Sequence, residues 1–97
     1  MHLEWSVPAL ADRVAIFDYI EADSPRAAVL IDNRIEDAAE ALIKMPGMGR
    51  PGRVEGTREL IIDRTPYIAA YRISGKAIRI LRVLHGAQQW PEELPIE

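Results

Sequence analysis

Residues 57–84 read TRELIIDRTPYIAAYRISGKAIRILRVL, and the spacing of apolar and turn residues there decides the fold. Thr57 to Ile62 predicts a strand, Asp63 to Pro66 turns the chain, and Tyr67 to Ile73 predicts a second strand. Ser74-Gly75-Lys76 is a hairpin turn with glycine available for a positive φ, and Ala77 to Leu84 follows as a third strand. That last strand is apolar on both faces apart from Arg79 and Arg82, the pattern of a strand lying centrally in a covered sheet.

Upstream, His2 to Ser6 predicts a short strand with Leu3 and Trp5 on one side. A helix starts near Ser6 to Pro8, since serine caps a first turn and proline is tolerated in it. Leu10, Val14 and Phe17 recur at helical spacing, and Ile20 extends the stripe. Ser24-Pro25 is a second start signal. From there Ala28, Ile31, Ile35, Ala38 and Leu42 form a stripe that ends at Met45-Pro46-Gly47. The join is short enough for an antiparallel helix hairpin. Pro46 to Gly56 predicts a loop carrying Arg50 and Arg53, and Gln88 to Leu94 predicts a short final helical turn. The expected fold is α+β, order β-α-α-β-β-β, an antiparallel sheet packed on the hairpin. Its expected core is Trp5, Leu10, Phe17, Ile31, Ile35, Leu42, Leu60, Tyr71, Ile80 and Leu84, with Gly56 and Gly86 serving turns.

Ninety-seven residues predict one domain, 1–97. There is no cysteine, and the two histidines, His2 and His85, lie far apart in sequence, so neither a metal nor a cofactor is expected. No apolar run approaches the roughly 18 to 20 residues of a membrane span, and no secretory pattern opens the chain. A cytoplasmic protein without membrane contact is expected. The net charge of −3 hides a partition. Residues 1–49 hold four basic and nine acidic side chains, whereas residues 50–85 hold eight basic and three acidic. A face for an acidic partner or polyanion, and internal ion pairing, both fit that partition.

Gly56-Thr57-Arg58-Glu59-Leu60, Thr65-Pro66-Tyr67-Ile68 and Tyr71-Arg72 resemble the RelE/ParE toxin pattern. So do Ile80-Leu81-Arg82-Val83-Leu84-His85-Gly86-Ala87 and the closing Gln88-Gln89-Trp90-Pro91. Pro46 and Gly49-Arg50-Pro51-Gly52 are similar to the family's loop, and Trp5 followed by two helices to its N-terminal half. The resemblance covers nearly the whole chain. It implies a growth-arresting toxin silenced by a cognate antitoxin, with either DNA gyrase or mRNA on the ribosome as target. An antitoxin segment that folds as it binds needs exposed apolar surface. Ile16, Tyr19, Val29 and Leu30, with an open sheet edge, are the predicted antitoxin-binding residues.

RNA cleavage needs a base, an acid and cations around the phosphate. By resemblance Arg58 and His85 stand at positions that RNA-cleaving relatives use, Arg82 lies close in sequence to His85, and Glu55 or Glu59 is a candidate base. Each also has a structural reading, as a strand-end cap, a core-edge guanidinium or a hydrogen-bonded histidine. Lysines used by some RelE-like enzymes have no counterpart, and an aromatic after the last strand is replaced by Gly86. A pI of about 5.4 is unlike a protein that docks into ribosomal RNA. The gyrase-directed reading is therefore preferred, with no catalytic residue. Its target surface is expected around Arg50, Arg53, Arg79, Arg82 and Trp90, or along the tail from Trp90 to Glu97. The ribosome-dependent mRNA interferase is the alternative, and an inactive protein-binding module of the same fold is a further one.

Overall fold

The computed structural model describes residues 1–95. Strand β1 (His2–Trp5) runs into Ser6, whose hydroxyl accepts the N–H of Ala9 at 3.0 Å and so starts helix α1 (Val7–Glu21). Ser24 repeats the device on Ala27 at 3.1 Å and starts α2 (Pro25–Ala41), with Pro25 in the first turn. Three residues join the helices into a hairpin. Arg13 ties it together, forking onto Asp32 of α2 at 3.0 and 2.9 Å while its guanidinium lies 4.6 Å from the centre of the Trp5 ring. No helix among the described residues is long and apolar enough to cross a membrane.

The second half is the expected meander: β3 (Arg58–Ile61), β4 (Tyr67–Ser74) and β5 (Ala77–His85), antiparallel in turn. Gly75 takes φ +59 in the two-residue turn between β4 and β5. Arg50–Pro51, inside the expected loop, forms a two-residue edge strand, β2, against β3. The sheet order is β1-β5-β4-β3-β2.

Two expectations are corrected. The sheet is mixed, because β1 pairs parallel to β5, from His2 opposite Ala77 to Trp5 opposite Ile80. A parallel partner requires a long crossover, which the helices and the rest of the sheet supply. Gln88 to Leu94 forms no helical turn; Gln88 instead accepts the N–H of His85 at 2.8 Å, and Leu94 is buried. Gly56 and Gly86 both lie in turns, as expected, Gly56 with the left-handed φ of +82.

The buried face of α1 also differs from the expected one. Ala9 is buried and Ile16 and Ile20 pack against the core, while Leu10 is 46% and Val14 61% exposed. Apolar residues surround α1 on most sides, so periodicity alone selects no face. On α2 the stripe holds: Ala28, Ile35 and Leu42 are buried, and Ile31 and Ala38 pack beside the core.

Strand β5 is covered on both sides, as its composition requires. Ile78, Ile80 and Val83 face the helices with Tyr71, Leu60 and Ile35. Leu81 packs on the other face with Ala70 and Leu94. A bulge allows this: Tyr71 opposes Ile80 but Ala70 opposes Arg82, so β5 carries one extra residue there. Of the remaining expected core, Leu84 is buried, while Trp5 and Phe17 are partly exposed.

Replacing Ile35, 1% exposed, by alanine is expected to cost about 2–5 kcal/mol in urea unfolding. Leu10→Ala is expected to stay within about 0.5 kcal/mol. Equal losses at the two positions would mean that α1 has been assigned the wrong buried face.

Candidate functional site

Alternation along β3 and β4 sends Glu59, Ala70 and Arg72 to the sheet face opposite the helices. Glu59 is only 3% exposed, which demands compensation for its charge. Arg53 gives it the backbone N–H at 2.9 Å and two guanidinium bonds at 3.0 and 3.2 Å, and Arg50 adds one at 3.1 Å. Burial alone would raise the Glu59 pKa; the bonds from Arg53 and Arg50 outweigh it and hold the carboxyl below its ordinary value. Trp90 closes the group, with the Arg53 guanidinium 3.7 Å from its ring centre and its indole N–H toward the His85 carbonyl at 3.4 Å. Arg50, Arg53 and Trp90, expected together at a target surface, are thus brought together, partly around the chain's own carboxylate. Ile96 and Glu97, the end of the expected tail surface, lie outside the described residues.

The other basic residues are largely engaged as well. Arg82 forks onto Asp12 of α1 at 2.7 and 2.9 Å. Arg79 reaches Glu4 of β1 at 3.3 Å. Arg58 donates to the Gly49 carbonyl at 2.7 Å. Nearby, the Tyr71 hydroxyl accepts the Gly49 N–H at 2.9 Å and donates to the Pro46 carbonyl at 2.7 Å. A Cβ at Gly49 would lie 2.7 Å from that tyrosine, so glycine permits the close approach of loop to sheet.

Arg58, Arg82 and His85 do not converge. On β4, Arg58 stands opposite Tyr71 and His85 opposite Tyr67, four residues apart. That places them roughly 13 Å apart along the strand direction and two strands apart across it. The His85 Nδ1 accepts the N–H of Ala87 at 3.0 Å, and its ring meets Tyr67 edge-on. Glu59, with its depressed pKa, is a poor proton acceptor, and Glu55 is exposed. At Gly86 an added Cβ would meet Ile68 at 3.4 Å, an ordinary contact, so the missing aromatic is not excluded by packing.

On the opposite side, three of the four expected antitoxin residues face outward: Tyr19, Val29 and Leu30. Ile16, the fourth, is half-buried and packs against the core. Periodicity placed Leu10 and Val14 in the core instead, yet with Phe17, Arg13, Asp18 and Asp32 they line a surface groove along the hairpin.

The sequence model described as "ParE toxin of type II toxin-antitoxin system, parDE" matches residues 3–90. The chain belongs to the ParE toxin family. It is 46% identical over 92 residues to the Y4kP protein of Sinorhizobium fredii, covering 95% of each. Toxin RelE2 of Caulobacter vibrioides is 37% identical over 84 residues, covering 87% of this chain and 93% of the relative. The structure of the chromosomal ParDE TA system from P. aeruginosa superposes with TM-score 0.77 at 37% identity, covering 86% and 92%. The chain is therefore a toxin of a type II toxin–antitoxin module, with a cognate antitoxin as partner.

The depressed pKa of Glu59 has a consequence for acid stability in this ParE-family toxin. A carboxyl lowered on folding contributes stability above its unfolded pKa and loses it as pH falls through its folded pKa. Glu59→Gln is expected to lower the urea midpoint at neutral pH, with the gap to the parent narrowing as pH falls below the ordinary carboxylate range. A gap that stays constant with pH would show that the Glu59 charge contributes nothing.

Proposed function

We propose that the free toxin poisons DNA gyrase and that its antitoxin silences it by docking along the outer face of the α1–α2 hairpin. One observation carries the choice of target: the arginines and histidine that RNA cleavage would need are separated and engaged. Arg82 is fixed to Asp12, Arg58 to the Gly49 carbonyl, and His85 lies at the far end of the sheet. An acid, a base and a phosphate clamp must stand within reach of one phosphodiester. The acidic pI of about 5.4 supports the same choice. The gyrase-facing surface in this reading is the helix-free sheet face bearing Arg50, Arg53, Arg79 and Trp90, and Arg82 acts from within the fold.

The antitoxin surface rests on the exposed side chains of Leu10 and Val14 in the hairpin groove, with Tyr19, Val29 and Leu30 around the hairpin. An amphipathic segment that lays apolar side chains into such a groove gains affinity from burial. The ribosomal reading, cleavage of mRNA, draws on Arg58 and His85 and on the RelE2 name of the Caulobacter relative.

One experiment tests both halves of the proposal. Purified toxin is expected to block gyrase supercoiling without ribosomes and to leave mRNA intact on translating ribosomes. Cognate antitoxin should restore supercoiling with the parent toxin and fail to do so with Val14→Asp. Ribosome-dependent cuts that fall about 10²-fold in Arg58→Ala or His85→Ala would replace gyrase with the mRNA target. Full rescue of Val14→Asp would move the antitoxin to another face.

A further inference from the structure

Most arginines of the folded chain are answered by a group of the chain itself. Arg13 has Asp32, Arg50 and Arg53 have Glu59, Arg82 has Asp12, and Arg58 and Arg34 have backbone carbonyls. Among the described residues Arg72 breaks the pattern, and Arg79 keeps it only through a shared carboxylate, Glu4. The two arginines stand directly opposite each other on β4 and β5, so both side chains leave the same face of the sheet, the one without helices. Like charges in that relation repel. Glu4, opposite Arg79 on β1, is the carboxylate of the row, but it reaches Arg79 only at 3.3 Å and is shared with His2 at 2.9 Å. Among the described residues, the buried side-chain nitrogens and oxygens without a hydrogen-bond partner are the Nε atoms of Arg72 and Arg79. A small enclosed cavity beside the row is lined by Arg72 with Val54, Thr57, Leu81 and Leu94. Glu55 lines it too but forms no ion pair with either guanidinium among the described residues.

We propose that Arg72 and Arg79 form a receptor for one carboxylate, presented by an acidic side chain of a protein partner. Two adjacent guanidiniums, whose Nε–H groups lack a partner among the described residues although Arg79 also reaches Glu4, offer paired donors in the planar geometry that carboxylates match. The receptor also removes the cross-strand repulsion that the free chain carries. A single inserted side chain fits the surroundings better than a nucleic-acid backbone does. Glu4 and Glu55 flank the pair, and the net charge of −3 repels a polyanion at longer range. The inference does not depend on gyrase being that partner.

Proton–nitrogen spectra of the arginine Nε–H groups in the full chain test it, with sodium acetate as the carboxylate probe and inorganic phosphate and sodium chloride at equal ionic strength beside it. Acetate is expected to shift the Arg72 and Arg79 signals saturably, beyond the effect of chloride and at lower concentration than phosphate. The Arg13 and Arg53 signals should stay in place. Arg72→Met should abolish the Arg79 response and raise the thermal midpoint of the unliganded chain by about 2–6 °C, since it removes a like-charge contact. Arg72→Lys, which keeps the charge without the fork, should also lose the response. A tighter response to phosphate would assign the pair to a nucleic-acid backbone instead. A response no larger than that to chloride would leave water as sufficient partner and overturn the proposal. A lower midpoint in Arg72→Met would make Arg72 a structural residue and overturn it equally.

Discussion

The contact on which this fold depends is the grip of Asp12 on the upper half of β5. Strand β1 covers β5 only from Ala77 to Ile80, and beyond that point the strand's outer edge lacks a ladder partner among the described residues. Helix α1 finishes the ladder with side chains. The Ser6 hydroxyl donates to the Leu81 carbonyl at 2.8 Å, and the Asp12 carboxylate accepts the Val83 N–H at 2.9 Å. The same carboxylate takes both bonds from Arg82. Backbone groups so close to the core need partners, and charge-assisted bonds are the stronger kind. With Asp12 seated, the register and tilt of α1 on the sheet are set, and α2 follows through Arg13 and Asp32.

That geometry changes the meaning of the charge partition. The acidic first half and the basic second half fold largely against each other: Asp12 takes Arg82 and Glu4 takes Arg79. Within the basic half, Glu59 takes Arg50 and Arg53. Asp12 and Glu4 thus offset two of the five excess positive charges of residues 50–85 in place, which weakens the field offered to nucleic acid. The surface that remains is specific and small, with Trp90 over Arg53, the half-exposed Arg50, and the Arg72–Arg79 row.

Much of this could be read from the residues. Serine caps with nearby prolines placed both helix starts, and Gly75 placed the hairpin between β4 and β5. That hairpin register already implied Arg72 opposite Arg79, a pairing hidden behind the reading of Arg72 only as half of the Tyr71-Arg72 motif. Other features were not legible for physical reasons. The direction of β1 is a long-range choice that no local residue records. The bulge at Leu81 was hidden, since Ile80 and Leu81 are both apolar and either satisfies a period of two. Glu59 looked like a solvated candidate base; only the fold of the Arg50–Arg53 loop over it shows a buried, saturated carboxylate.

The arginines of the sheet serve the chain's own architecture, and Arg82, held by Asp12, is the clearest case. A double-mutant cycle over Asp12→Ala and Arg82→Ala, read by urea unfolding, measures it directly. The expected coupling is about 1–3 kcal/mol, with the single replacements costing nearly as much as the double. Additive losses, agreeing within about 0.5 kcal/mol, would show that Arg82 is free of Asp12 and would return it to the set of residues available to a target.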